Sequence, residues 1–169
     1  PHREEFLQAM QNETEESEKH GTWTVMKRSE VPKVKQKDGT LKEPTFLAGT
    51  WAFKVKRFPS GVLRKIKSRF CARGDLQTNV DPNETCAPVA SWSSIRMLTI
   101  TALQRGWATK QIDFSNAFAQ APMKRDVHIS LPSMFGDSNG IPCHELCLKL
   151  NKSLCGLREA PKLWGDWLK

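Results

Sequence analysis

Basic side chains are concentrated in residues 51–73, which contain eight lysines and arginines and no acidic residue. The formal net charge of the whole chain is +8, so this stretch accounts for it and the other charges cancel. Lysine and arginine bind phosphate oxygens, and a dense basic strip is typical of a surface that binds a polyanion. The stretch therefore predicts a nucleic-acid or nucleotide partner. The alternative is a solvated sheet edge whose lysines only prevent aggregation.

One carboxylate, Asp113, stands at the end of the strand-like run ATKQIDF and directly before SNAFAQAPM. The second run can form only a short helix, over residues 115–119, because Pro122 prevents its continuation. An aspartate just before a helix readily accepts hydrogen bonds from the first free N–H groups. Taken alone, the local sequence therefore favours a structural role for Asp113 as the N-cap of this helix.

Five cysteines are scattered along the chain without a regular spacing. An odd number in a chain long enough to fold by burial favours reduced thiols and an intracellular setting. Cys143 and Cys147 could suggest zinc, but no second pair of ligands with ordinary zinc spacing follows them. They are expected to be buried as small apolar residues.

The basic stretch is expected to form a β-hairpin that turns at Ser60 and Gly61, because aromatic and β-branched residues flank this turn on both sides. The two-residue period of a strand then separates an apolar face from a face of lysine and arginine. Like charges that face each other destabilise a hairpin unless a polyanion supplies negative charge. The predicted facing pairs are Trp51 with Phe70, Val55 with Ile66, Lys56 with Lys65 and Lys54 with Lys67.

Two helices are expected on either side of this hairpin. Residues 1–20 carry six glutamates and are typical of a solvated amphipathic helix, with the apolar residues Phe6, Leu7 and Met10. The run SWSSIRMLTITALQRGW predicts a helix that Ser91–Ser94 can cap and Gly106 ends. Its apolar face would contain Ile95, Leu98, Ala102 and Leu103.

The second half of the chain adds strands to this pattern. Strands are expected at ATKQIDF, VHISLP and HELCLKL, with a turn at GDSNGIP and a helix after Gly156. Helices and a hairpin followed by short strands indicate the α+β fold class. No run approaches the roughly 18 apolar residues that span a bilayer, so no membrane partner is expected.

Taken in order, these segments resemble the reverse transcriptase of copia-type LTR retrotransposons. The resemblance rests on GTWTV, WAFKVKR with GVLRKIKSRFCARGDLQ, ETCAPVASWSSIR, GWATKQIDFSNAFAQAPM, VHISLP and SLCGLREAPKLW. It implies reverse-transcriptase-like fingers and a partial palm, with a basic hairpin and an incomplete palm sheet packed on helices. Residues 1–169 would be a single partial domain of a longer Pol polyprotein, without the downstream palm, thumb and ribonuclease H. Its parts would be the N-terminal helix and lead-in (1–50), the fingers (51–90, hairpin 51–73), and a helix, the first palm strands and a connecting helix (91–169).

The resemblance also implies a role for particular residues. Asp113 and the backbone carbonyl of Phe114 would bind one of two Mg²⁺ (or Mn²⁺) ions in the complete enzyme. Phe118 would pack under the incoming sugar and exclude a ribose 2′-hydroxyl. Arg69 and Lys67 would bind the triphosphate of a deoxynucleotide. Contacts with an RNA or DNA template-primer would involve Lys54, Lys56, Lys65, Arg73, Gly156 and Arg158.

The sequence departs from the family at three points. Cys155 occupies a place where tyrosine is usual, and Cys86 one where phenylalanine is usual; both exchanges would leave space in a tight core. The aromatic-x-Asp-Asp motif that supplies the other catalytic carboxylates is absent from these 169 residues. We therefore expect that they do not polymerise DNA by themselves. The alternative function is a non-catalytic nucleic-acid-binding relic or domesticated module, and either protein would be intracellular, in a cytoplasmic particle or the nucleus.

Overall fold

The structure is a computed structural model that describes residues 2–35, 39–78, 80–132 and 140–169. Helices and short strands are mixed along these residues, which agrees with an α+β class, and most of the turn expected at GDSNGIP lies outside them. No helix in the described ranges is long and apolar enough to cross a bilayer. The elements are α1 (Arg3–Lys19), β1 (Trp23–Lys27), β2 (Val34–Lys35), β3 (Leu41–Lys42), β4 (Phe46–Leu47), β5 (Gly49–Arg57), β6 (Leu63–Ala72), α2 (Trp92–Arg105), β7 (His128–Ser130), β8 (Leu146–Leu150) and α3 (Ala160–Trp167).

Four strands form the central sheet in the order β1-β8-β7-β4. β8 pairs antiparallel with β1 and β7, whereas β4 joins β7 in parallel. Ile129 of β7 and Leu148 of β8 are fully buried, and Phe70 from β6 closes the same core. The strands expected at VHISLP and HELCLKL are thus confirmed as β7 and β8. The helix expected after Gly156 is α3.

The basic hairpin has the predicted register from Gly49 to Lys56, and then the register shifts so that Arg57 faces Leu63. Lys54 faces Lys67, Lys56 faces Lys65, and the two predicted apolar pairs also face each other. Along β6 the side chains alternate between buried and exposed, with Ile66, Ser68 and Phe70 on the buried face. A turn at residues 58–62 joins the strands, and Gly61 adopts the positive φ (82°) that this turn requires. The period-two pattern was sufficient to predict the pairing of the strands, whereas the expected two-residue turn at Ser60 and Gly61 is wrong, because the irregularity after Lys56 makes the turn longer.

The outer edge of β6 is covered by two other segments. α1 packs against this edge, where the backbone N–H of Phe70 donates to the Glu13 carboxylate. Two residues farther along β6, the Ala72 N–H donates to the Cys155 carbonyl over 2.8 Å. The ring of Phe6 packs edge-on against Phe53, with centroids 5.1 Å apart. These contacts satisfy backbone groups that would otherwise be free on an edge strand.

Helix α2 has the predicted ends but not the predicted burial. Ser91 caps it by accepting from the Ser94 N–H, and Gly106 ends it with φ 63°. Of its expected apolar face only Ala102 is buried, while Leu98 and Leu103 are 63% and 77% exposed. The expectation that this face is buried is therefore wrong for the described residues, because no described element covers it.

The strand expected at ATKQIDF is not formed. Residues 107–114 are irregular and exposed. Extended backbone becomes a strand only when a neighbour accepts and donates its hydrogen bonds, and no described strand pairs with this run. The short helix expected at 115–119 is a 3₁₀ turn at Ala117–Gln120.

Candidate functional site

The basic face of the hairpin is solvent-exposed. Lys54, Lys56, Lys65, Lys67 and Arg69 all lie on it and are all exposed, so the two lysine pairs face each other in water. Facing like charges destabilise a hairpin, and bound phosphates would offset that cost. The arrangement predicted from the sequence is therefore present in the structure.

A cavity of about 200 Å³ lies beside this face, between α1, β6 and the loop that follows Asp113. It brings together three of the predicted site residues, Arg69, Phe114 and Phe118, although they are far apart in sequence. The remaining lining residues are Glu13, Ser17, His20, Phe70, Asn116, Ala117, Ala119, Ser153, Leu154 and Cys155.

The cavity contains an unusual buried hydroxyl. Ser153 is fully buried, its N–H donates to the Ala121 carbonyl over 2.8 Å, and its Oγ has no hydrogen-bond partner. A buried hydroxyl without a partner costs free energy. The sequence identifies Ser153 only as the first residue of the segment SLCGLREAPKLW and predicts no role for its hydroxyl.

The electrostatics of the cavity combine one acidic and two basic side chains. Burial raises the pKa of the Glu13 carboxyl, and Glu16 raises it further. The charges of Arg69 and Lys67 and the hydrogen bond from Phe70 oppose this effect, which indicates that both basic side chains are near Glu13. Glu16 also accepts a hydrogen bond from the Asn116 amide over 2.9 Å, so α1 orients the loop. The contribution of α1 was not predicted.

Asp113 is outside the cavity lining. It is exposed, and the 3₁₀ turn that follows begins at Asn116 without a side-chain cap, so the expected N-cap role is wrong. The neighbouring Phe114 lines the cavity and packs edge-on against Trp164, with centroids 5.1 Å apart. In the described ranges, no three His, Cys, Asp or Glu side chains are grouped to hold a metal ion. Asp113 thus fits Mg²⁺ as one oxygen ligand of an otherwise incomplete set.

The remaining predicted site residues lie at the junction of β6 and the segment 153–158. Arg73 makes a bidentate pair with Asp75, and this pair lowers the pKa of the carboxyl. Gly156 has φ 90°, and a Cβ there would lie 2.2 Å from the Ala72 carbonyl oxygen. The Arg158 N–H donates to the Gln77 side chain over 2.9 Å. These contacts give all three residues a part in the fold, and their contact with template remains a prediction.

The cysteines occupy three different environments. Cys147 is fully buried in β8, as expected, and Cys143 is half-buried. Cys86 is exposed, so the expectation that it leaves space in a tight core is wrong. Cys155 does lie beside space, since it lines the cavity.

The described residues form a mixed α/β protein in which an exposed basic hairpin lies beside a small cavity. Residues 39–169 match the family model described as "Reverse transcriptase (RNA-dependent DNA polymerase)". The chain therefore belongs to the reverse transcriptase family.

Its relatives are polyproteins of transposons. The chain is 36% identical over 121 residues to the retrovirus-related Pol polyprotein from transposon RE1 of Arabidopsis thaliana, which covers 71% of this chain and 8% of the relative. It is 30% identical over 165 residues to the retrovirus-related Pol polyprotein from transposon TNT 1-94 of Nicotiana tabacum, a match that covers 97% of this chain and 11% of the relative. It is also 30% identical over 105 residues to the Ty1-H Gag-Pol polyprotein of Saccharomyces cerevisiae (61% and 6%). These relatives confirm the resemblance to copia-type elements, and the chain spans about a tenth of their length or less. No solved structure matches it.

Proposed function

We propose that this chain contributes the nucleotide- and template-binding part of an RNA-directed DNA polymerase within a copia-type Pol polyprotein. Its partners are a template-primer, deoxynucleoside triphosphates and the rest of the polyprotein. The observation that carries the proposal is the cavity that joins Arg69 to Phe118 beside the basic face, in a chain that matches the family over residues 39–169.

The size of the cavity supports binding of only part of a nucleotide. Its volume of about 200 Å³ is below the roughly 300–1,000 Å³ of sites that enclose a whole ligand. The sugar and phosphates fit this space, and the base extends towards the template. The planar guanidinium of Arg69 binds phosphate oxygens bidentately, and Lys67 adds charge from the same face.

Phe118 selects the sugar. Its ring lines the cavity and is half-buried, so it occupies volume that an additional hydroxyl would need. A ribose 2′-oxygen held against this ring has neither space nor a hydrogen-bond partner, and is excluded on both grounds.

The lysine pairs bind the nucleic-acid backbone. Lys54, Lys56 and Lys65 bind phosphates of the template-primer, which removes the repulsion between facing ammonium groups. Arg158 and the backbone at Gly156 bind the template strand. Arg73 and Asp75 form an exposed ion pair. Arg73 can therefore bind a phosphate in place of the Asp75 carboxylate.

Asp113 is the catalytic carboxylate of this part of the polymerase. Divalent ions, which this family uses, activate the primer hydroxyl and stabilise the leaving pyrophosphate when two are bound. The exposed carboxylate of Asp113 and the Phe114 carbonyl are hard oxygen ligands of the type that Mg²⁺ prefers. The other carboxylates come from outside the described residues.

The experiment is primer extension by a polymerase that contains this chain and the downstream Pol segments. Asp113→Asn keeps the size of the side chain and removes its charge, and should abolish extension while template-primer affinity stays within twofold. Asp126→Asn, on an exposed aspartate before β7, is the matched control and should extend normally. If Asp113→Asn extends at the wild-type rate, the chain is a binding module and the proposal is wrong.

A further inference from the structure

Two cysteines that are distant in sequence lie side by side where the hairpin meets the segment after β8. Cys71 is the penultimate residue of β6, and Cys155 lies in the segment 153–158. The Ala72 N–H donates to the Cys155 carbonyl over 2.8 Å, and each thiol has the largest influence on the pKa of the other, so the two side chains lie close together. Both thiols are half-buried.

The backbones around this pair are held in close contact. A Cβ at Gly156 would lie 2.2 Å from the Ala72 carbonyl oxygen, and one at Gly74 would lie 1.9 Å from the Gly156 carbonyl oxygen. Only glycine allows these two segments of the chain to approach so closely. The backbones that carry Cys71 and Cys155 are therefore held together at this point, and a disulfide between them would have an S–S bond of about 2.05 Å.

We propose that Cys71 and Cys155 are a redox modification site, at which a peroxide converts the thiol pair into a disulfide that joins β6 to the segment 153–158. In the first step the Cys155 thiolate attacks one oxygen of the peroxide. The O–O bond breaks, and with hydrogen peroxide and one proton the products are a Cys155 sulfenic acid and water. In the second step the Cys71 sulfur displaces the sulfenic oxygen, which leaves as a second water with the Cys71 proton. Two thiols are oxidised and one peroxide is reduced.

The surroundings distinguish the two thiols. The hydrogen bond from the Cys71 thiol lowers the pKa of Cys155 to about 7; burial opposes this and the charge of Arg69 assists it. The pKa of Cys71 is raised, first by the hydrogen bond with Cys155 and then by burial. Cys155 thus attacks first, since the thiolate is the nucleophile. It also lines the cavity, through which a small oxidant can enter.

The cross-link would act on the candidate site. Cys155 is part of the cavity wall, and Arg69 is two residues before Cys71 on the same face of β6. A disulfide would fix these two walls relative to each other.

The test oxidises the full chain with one equivalent of hydrogen peroxide, followed by alkylation and non-reducing trypsin digestion. Cleavage after Arg69, Arg73, Lys152 and Arg158 releases the peptides FCAR (70–73) and SLCGLR (153–158). We expect these peptides to be joined, with a mass 2 Da below their sum, and to separate with dithiothreitol. Free thiols should fall from five to three.

Matched variants exclude a non-specific reaction. Cys71→Ser and Cys155→Ser should each abolish the cross-linked peptide, whereas Cys86→Ser, at an exposed cysteine, should leave its yield unchanged. If a variant does not fold, the alkylation rates of the five cysteines in wild type serve instead, and Cys155 should react at least tenfold faster than Cys147. Oxidised wild type that keeps five free thiols, or links Cys155 to another cysteine in equal yield, would overturn the proposal.

Discussion

Three glycine-to-alanine substitutions can measure how tightly the segment 153–158 is held against β6. Gly156 combines φ 90° with a Cβ position 2.2 Å from the Ala72 carbonyl oxygen. Gly61, in the hairpin turn, has a similar φ of 82° but no neighbouring atom within 4 Å. Gly165 lies inside α3 and has open space around it. The three sites therefore separate backbone strain, steric contact and helix propensity.

The expected changes in the free energy of unfolding follow from these geometries. Gly61→Ala should lower the free energy of unfolding by about 1–2 kcal/mol, because alanine is strained in the left-handed conformation. Gly156→Ala introduces the same backbone strain, and its added Cβ must also displace the segment 153–158 from β6. That movement breaks the bond from the Ala72 N–H to the Cys155 carbonyl and leaves a buried donor unpaired, which adds about 1–3 kcal/mol. Gly165→Ala should stabilise the protein by about 0.5–1 kcal/mol, because alanine is the better helix former.

Urea unfolding at equilibrium, followed by the fluorescence of the six tryptophans, measures all three variants on one scale. The order of stability should be Gly165→Ala, wild type, Gly61→Ala and then Gly156→Ala. Equal losses for Gly61→Ala and Gly156→Ala would refute the close approach of the segment to β6. Reduced protein should be used, so that no disulfide contributes.

Three further predictions concern the site and its surroundings. In the complete polymerase, Phe118→Ala should admit ribonucleotides at least tenfold better than wild type does, and unchanged sugar discrimination would contradict the role of the ring. Replacing Lys54 and Lys56 together by glutamine should reduce the slope of log affinity against log salt by about 1.8 for a duplex, at about 0.9 for each phosphate contact. The control Lys19→Gln should leave that slope unchanged, and an unchanged slope in the double variant would exclude its lysines as phosphate contacts. Burial lowers the pKa of His128, so the contribution of His128 to stability is present above the unfolded pKa of about 6.5 and is lost as the pH falls towards the folded pKa. His128→Asn should therefore flatten the decrease in the free energy of unfolding between pH 7 and 5. An equally steep decrease in the variant would count against this role of His128.

Local patterns were sufficient wherever a segment makes its own hydrogen bonds. The hairpin register from Gly49 to Lys56 follows from the alternation of side chains, which is a property of consecutive residues, whereas the shift at Arg57 does not. The ends of α2 follow from Ser91 and Gly106 for the same reason. The family could also be recognised from short segments, because their order along the chain is itself specific.

Sequence patterns failed to predict a segment where its structure depends on the elements that pack against it. The run ATKQIDF has strand composition, but without a paired neighbour its backbone stays irregular, and Asp113 stays exposed. The apolar residues of α2 predicted a buried face, which requires another element to pack on it. Periodicity reports which surface prefers burial, and only the tertiary structure determines whether that surface is covered.

The sequence by itself therefore determined the basic hairpin, the helix ends, the reverse transcriptase family and the residue types available for phosphate and metal. Only the tertiary structure decided that Arg69, Phe118 and Ser153 line one cavity with α1, and that the backbone beside Cys71 bonds to Cys155. Arg69 and Phe118 are 49 positions apart in the chain and Cys71 and Cys155 are 84 apart, so no local spacing encodes these contacts. They arise because the outer edge of β6 must find partners for its backbone, and α1 and the segment 153–158 supply them.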